Sequence, residues 1–192
     1  MSNIIDITYF KREILISQVA QAAVADAVNA SIAAYEPEYI LNVLGYGLSR
    51  DFIAGIAAGS PAQKWVDLRD GKEFIDPNTN RLIKWSGFKN VMLSPIAYYV
   101  YFMYRKNNVT ETASVGEVIS QTDNSVVVSP GRKTSFAWNR MVELNILLWN
   151  YLFVNMADYG LTTADFGRSC NLQNFPLDAD FTMICTINDF DI

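Results

Sequence analysis

Between residues 107 and 130 the chain reads NNVTETASVGEVISQTDNSVVVSP, and this stretch separates its two most apolar helical segments. It carries seven Ser/Thr, six Val and three acids (Glu111, Glu117, Asp123), with no Lys or Arg. Basic pairs bracket it, Arg105 and Lys106 before, Arg132 and Lys133 after. Non-helical connections this long are uncommon inside compact helical domains, and those that occur usually carry function. The runs GEVIS and VVV favour strands, so the insert is expected to contain β-structure and to project from a helical body.

The rest of the chain supplies that body. Ser17 is placed to cap a helix over residues 17–35, in which alanines at 20, 23, 27, 30 and 34 form a smooth stripe beside a ridge of Val24, Val28, Ile32 and Tyr35. Small residues admit close helix approach, so this helix is expected to pack on two sides. Pro37 suits the first turn of a second helix, with Glu36 and Glu38 where a helix N-terminus favours negative charge, and Gly45 ends it. A third helix covers 48–57, and a fourth runs from Ser60-Pro61 to Gly71. Residues 72–75 and 81–85 flank a turn-rich DPNTN and predict a β-hairpin. A long helix is expected over 87–106, with 88, 92, 96, 99 and 103 on one face and Tyr98, Tyr101 and Tyr104 on another. Pro95 either kinks it or marks its start. The last helix, 133–158, has Ala137, Met141, Leu144, Leu148 and Leu152 on its core face, broadened by Trp138, Trp149 and Phe153. From 159 the helical period disappears; FPLDAD reads as loop and FTMICTIN alternates like a strand. The fold expected is mainly α: a helical bundle (1–158) with a short hairpin at about 72–85, a projecting β-like loop at 107–130, and an extended C-terminal arm (159–192).

Little in the composition favours catalysis. The chain has no histidine, which removes the commonest general base and transition-metal ligand. No Ser or Cys has the setting of a nucleophile, and Cys170 and Cys185 lack metal or redox spacing, reading as reduced thiols. Asp76-Pro-Asn78-Thr-Asn80 starts like a calcium loop, but Arg81 and Gly87 stand where that pattern needs Gly and Glu. Gly45-Tyr-Gly47 lacks the third glycine and preceding strand of a dinucleotide loop. A net charge of −5 gives no general attraction for phosphate backbones, and the few cations near the tyrosine face of 87–106 make it core or subunit interface, not a stacking platform. No enzyme activity, cofactor, metal or membrane span is expected. The opening MSNIIDITYFKRE lacks the pattern of a secretory signal, predicting a soluble product of the cytoplasm. Against these exclusions stands a surplus: 51% apolar residues with only 18% charged, more than a single small domain usually hides. Part of that surface is expected to be buried between subunits.

Several segments, in order, carry a resemblance. They are ITYFKRE, YEPEYILNVLGYGLSRDF (35–52), WVDLRDGKEF (65–74), LIKWSGFKN (82–90), the polar TxTxxGEV segment, and KTSFAWNRMVE (133–143). Together, over about residues 5–155, the chain resembles the head–tail connector proteins of tailed bacteriophages, the adaptor or head-completion family that forms a ring beneath the portal, as in phages of gut Bacteroidales. The resemblance implies a structural virion protein at the head–tail interface, assembled in the host cytoplasm. It implies a homo-oligomeric ring, twelvefold to match a portal, joined to the portal protein and to further tail or ring proteins, with DNA passing through the channel unbound.

On that basis two segments are the expected docking devices. In the loop they are Thr110, Thr112, Val115, Glu117, Val118, Val126, Val127 and Val128, with Arg105, Lys106, Arg132 and Lys133 at its base. In the arm they are Phe175, Phe181, Ile184, Ile187 and Phe190, too many large apolar groups to leave in water. The alternative function is a helical binding module with an aromatic-lined pocket for a small apolar ligand.

Overall fold

The computed structural model describes residues 3–76, 79–108, 111–113, 116–118, 131–170 and 173–176. Four helices, α1 (Ala22–Ala57), α2 (Gln63–Asp70), α3 (Pro95–Asn108) and α4 (Gly131–Val154), build the mainly helical body. Among the described residues three antiparallel strand pairs decorate it: β1–β2 (Lys72–Ile75, Leu82–Trp85), β3–β4 (Glu111–Ala113, Gly116–Val118) and β5–β6 (Phe166–Cys170, Gln173–Pro176).

α1 differs from the three helices expected before Gly59. It begins at Ala22 after Gln21, with no side-chain cap, so Ser17 does not start it. It runs straight through Pro37, because that ring and the carbonyl it leaves without a donor, on Ala33, both lie on the exposed face where water substitutes. The break comes at Gly45, whose φ of 72° and ψ of 168° only glycine adopts cheaply. The Val28–Ile32 ridge is fully buried, whereas Ala23, Ala27, Ala30 and Ala34 are exposed. The helix therefore packs on one side within the chain, and its alanine stripe is left outside.

Pro95 is the true start of α3, where its missing N–H costs nothing; the Ser94 hydroxyl caps the first turn by accepting from the Ala97 amide at 3.3 Å. Residues 87–94 form turns, which leaves Met92 exposed and not on a helix face. Tyr98 and Tyr101 are buried core residues. The core face expected for α4 is buried throughout, from Ala137 to Leu152. α3 and α4 are antiparallel neighbours: Tyr98 adjoins Arg140, while Phe102 packs on Trp138 with ring centroids 5.0 Å apart.

The β1–β2 register pairs Lys72 with Trp85 and Ile75 with Leu82. Trp85 is fully buried and donates to the Leu68 carbonyl at 2.9 Å, which fixes the hairpin to α2. Gly71, at φ 97°, lets the chain turn directly from α2 into β1; a Cβ there would meet the Trp85 carbonyl oxygen at 2.5 Å. Between the strands Thr79 Oγ1 donates to Asp76 Oδ2 at 2.6 Å and the Asn80 amide to the Asp76 carbonyl at 2.8 Å.

The N-terminal residues 3–16 form a strap with two short 3₁₀ turns, and Ile4, Ile5, Tyr9, Phe10, Ile14 and Ile16 are buried in the common core. Phe88 lies at the centre, in ring contact with Tyr39, Phe52 and Trp85. Full burial of Phe52 and Phe88 contributes about 1.5–3 kcal/mol each relative to exposure.

Candidate functional site

Arg105 and Lys106 close the last turn of α3, where cations complement the negative end of the helix dipole. Arg132 and Lys133 occupy the first turn of α4 and are exposed. There the dipole is positive, so each is unfavourable by about 0.3–1 kcal/mol unless an anion answers it. Antiparallel packing brings the two pairs to the same end of the bundle, at the root of the 107–130 insert. Arg105 Nε is buried without a hydrogen-bond partner among the described residues, and its guanidinium adjoins the buried Tyr101. Asn107 Nδ2 donates to the Tyr35 hydroxyl at 2.5 Å, which ties the root of the insert to α1.

The insert contains the β-structure its sequence favours. Thr112 faces Glu117 and Glu111 faces Val118 across the β3–β4 pair. Thr110, Val115, Val126, Val127 and Val128 lie outside the described residues. In the arm, Phe175 belongs to β6, opposite Arg168 of β5, so the start of FPLDAD is strand and not loop. Phe181, Ile184, Ile187 and Phe190 lie outside the described residues. β5 is anchored by Phe166, whose ring packs on Trp149 at 5.8 Å and Phe153 at 5.3 Å.

Two clefts were not foreseen. The first, of about 250 Å³, is lined by the aliphatic Ile4, Pro37, Ile40, Ile53, Ile56 and Ala57 together with the polar Asn3, Glu36, Arg69 and Lys89. Glu36, expected as an acid at a helix start, instead lies mid-helix and buried. Its carboxylate accepts from the Ile4 amide (2.9 and 3.0 Å) and the Ile5 amide (3.0 Å), holding the N-terminal strap on α1. Burial raises its pKa, partly opposed by these two amides. Glu38 likewise serves tertiary structure, accepting from the Tyr99 hydroxyl at 2.5 Å. Arg69 is engaged by Asp70 at 2.7 Å.

The second cleft, of about 400 Å³, opens between the strap and the turns before α3. Tyr9, Ile14, Met92 and Tyr98 line it, together with Lys11, Arg12, Glu13 and Arg140. Glu13 is occupied by the Tyr98 hydroxyl, which donates to it at 3.1 Å, and Arg140 pairs with Glu143 at 2.5 Å. Among the described residues Lys11 and Arg12 form no ion pair.

Elsewhere the polar groups are structural. Tyr39 donates to Asn145 in the core, and Tyr159 donates to the Lys64 carbonyl at 2.8 Å while contacting the Tyr151 hydroxyl at 3.0 Å. Burial pushes the Tyr39 and Tyr159 phenols well above their ordinary range, so neither titrates near neutrality. Among the described residues no cluster of three or more Asp, Glu or Cys could hold a metal ion, and no helix is long and apolar enough to cross a membrane. No protein-family model, curated protein or solved structure matches the chain.

Proposed function

We propose that the chain is a structural head–tail connector subunit, assembling as a homo-oligomeric ring that joins a portal vertex to a tail and surrounds the DNA channel. The observation that carries this reading is surface left unused by the fold on well-separated elements. The alanine stripe of α1 is exposed, and so are Leu41 and Tyr46 on the same helix. At the far end of the β1–β2 hairpin the cross-strand pair Ile75 and Leu82 is 57% and 66% exposed. Distinct packing surfaces on one subunit suit the heterologous contacts that close rings. The sequence resemblance supplies the partners: portal protein on one side, further tail or ring proteins on the other.

In this reading the insert and the arm are the docking devices, one along the ring axis and one towards the adjacent subunit. The four cations at the root of the insert suit an acidic partner surface, whose anions would answer the unfavourable placement of Arg132 and Lys133. The net-acidic chain lets DNA slide past without gripping it. Replacing residues 109–130 with a short Gly/Ser linker tests the assignment. The shortened chain is expected to stay folded by circular dichroism and to lose binding to portal protein in negative-stain images. Unchanged assembly with portal would refute the docking role.

The first cleft, lined by aliphatic and polar side chains and not by the aromatic ones expected from the sequence, favours a second reading, a module holding a small apolar ligand. Native mass spectrometry of the purified chain would then retain a stoichiometric small molecule.

A further inference from the structure

We propose that the second cleft is the receptor for the C-terminal segment, residues 177–192, of a neighbouring copy of this chain. The inference rests on the ring reading and names a contact within it. The cleft combines an apolar floor with cations. Val91 and Met92 are 41% and 42% exposed beside the buried Ile14 and Tyr98, and the exposed Lys11 and Arg12 line it with no ion pair among the described residues, next to one acid, Glu13, which accepts from Tyr98. A matching occupant is apolar and acidic, its carboxylates meeting Lys11 and Arg12.

Residues 177–192 have that chemistry. They read LDADFTMICTINDFDI: four aspartates, no Lys or Arg, and large apolar residues interleaved with the acids. The last basic residue of the chain is Arg168. Fully extended, the segment spans about 50 Å, enough to cross from one subunit to the next.

The donor is a neighbour because of where the segment leaves the body. β6 ends at Pro176, and the β5–β6 pair is fixed to α4 through Phe166 on Trp149 and Phe153. Arg140, on the wall of the cleft, is nine residues before Trp149. At about 100° per residue the two point to opposite sides of α4, about 14 Å apart along its axis. Donor and acceptor thus face away from each other on one subunit. That arrangement connects one copy to the next in the same sense, the head-to-tail contact from which rings are built when its rotation closes, whereas docking on its own body would require the segment to wrap around α4.

The test uses the full chain. Unlabelled and heavy-nitrogen-labelled chains are mixed as unfolded chains in equal amounts, refolded together, and treated with a carbodiimide, which joins an amine to a carboxylate in contact with it. Peptides linking Lys11 to Asp189 or Asp191 are expected, about half of them carrying one light and one heavy partner. Only same-isotope pairs, or no such link, would overturn the proposal. A charge swap gives an independent arm. K11E/R12E and D189K/D191K are each expected to raise the concentration at half-assembly about tenfold, and all four changes together to restore it to within about threefold. Lys11 and Arg12 are exposed, and an unchanged melting temperature would show the fold intact. Indifference of a ring that does form to both reversals would refute this contact and leave the ring standing. An unmodified chain that never assembles would refute the ring reading itself, and this contact with it.

Discussion

The Glu36 carboxylate makes the clearest energetic claim. It is buried, and two backbone amides that would otherwise be buried donors without acceptors point at it, at 2.9–3.0 Å. Glu36→Ala removes both acceptor oxygens. An unsatisfied buried amide costs about 1–3 kcal/mol, so the two together cost about 3 kcal/mol. Glu36→Gln keeps one acceptor oxygen, and its cost is expected to be about half that. The charge adds a pH signature. Burial raises the folded-state pKa of Glu36 above its unfolded value, so the folded chain holds this proton more tightly. Stability contributed here is fully present below the unfolded pKa and declines as pH rises from there through the raised folded pKa, after which it is level. Glu36→Gln lacks that decline. Urea unfolding between pH 4 and pH 8, with hydrogen exchange at the Ile4 and Ile5 amides, measures both effects. The reasoning fails if Glu36→Ala lies within about 0.5 kcal/mol of the parent, if those two amides keep their protection, or if the Glu36-dependent slope has the opposite sign.

Three further outcomes are expected. Asn145 is fully buried and accepts from Tyr39, so Asn145→Ala should lower stability by about 2–4 kcal/mol in urea unfolding. A Cβ on Gly55 would fall 2.2 Å from Trp65 Cδ1; Gly55→Ala should cost about 1–3 kcal/mol and change the tryptophan emission as the indole is displaced. Arg132→Glu with Lys133→Glu should raise the thermal stability of the isolated subunit, by about 0.3–1 kcal/mol per site through the α4 dipole, while weakening portal binding in a pull-down. A pair of substitutions that destabilises the subunit would contradict the electrostatic account of that helix end.

Much of the fold was legible because its signals are local. Gly45 breaks α1, Pro95 opens α3, the strand-like runs at 72–75 and 82–85 pair as a hairpin, and the period from Ala137 to Leu152 marks a buried face; each is decided by a few neighbouring residues. α1 was misread as two helices at Pro37 because a proline's cost in a helix is lower where water can take the freed carbonyl, and which side the rest of the chain covers is not visible in the local sequence. The acids Glu36 and Glu38 look like helix-start residues in sequence. Their partners, the Ile4 and Ile5 amides and Tyr99, are more than thirty residues away. Neither cleft could be read for the same reason, since the strap, α1 and the turns before α3 meet only in the folded chain. The β5–β6 pair has weak strand signals, and its position is fixed by Phe166 finding Trp149 and Phe153. Arg132 and Lys133 were legible as a basic pair bracketing the insert, but their conflict with the helix dipole depends on where α4 begins, at Gly131.

The central claim is that this subunit closes into a ring. Mass photometry of the purified chain across a concentration series, followed by negative-stain class averages of the largest species, tests it most directly. The account predicts one closed species, twelvefold about an axis, with a central opening wide enough for duplex DNA. A monomer at the highest concentration that also fails to assemble on portal protein would contradict it.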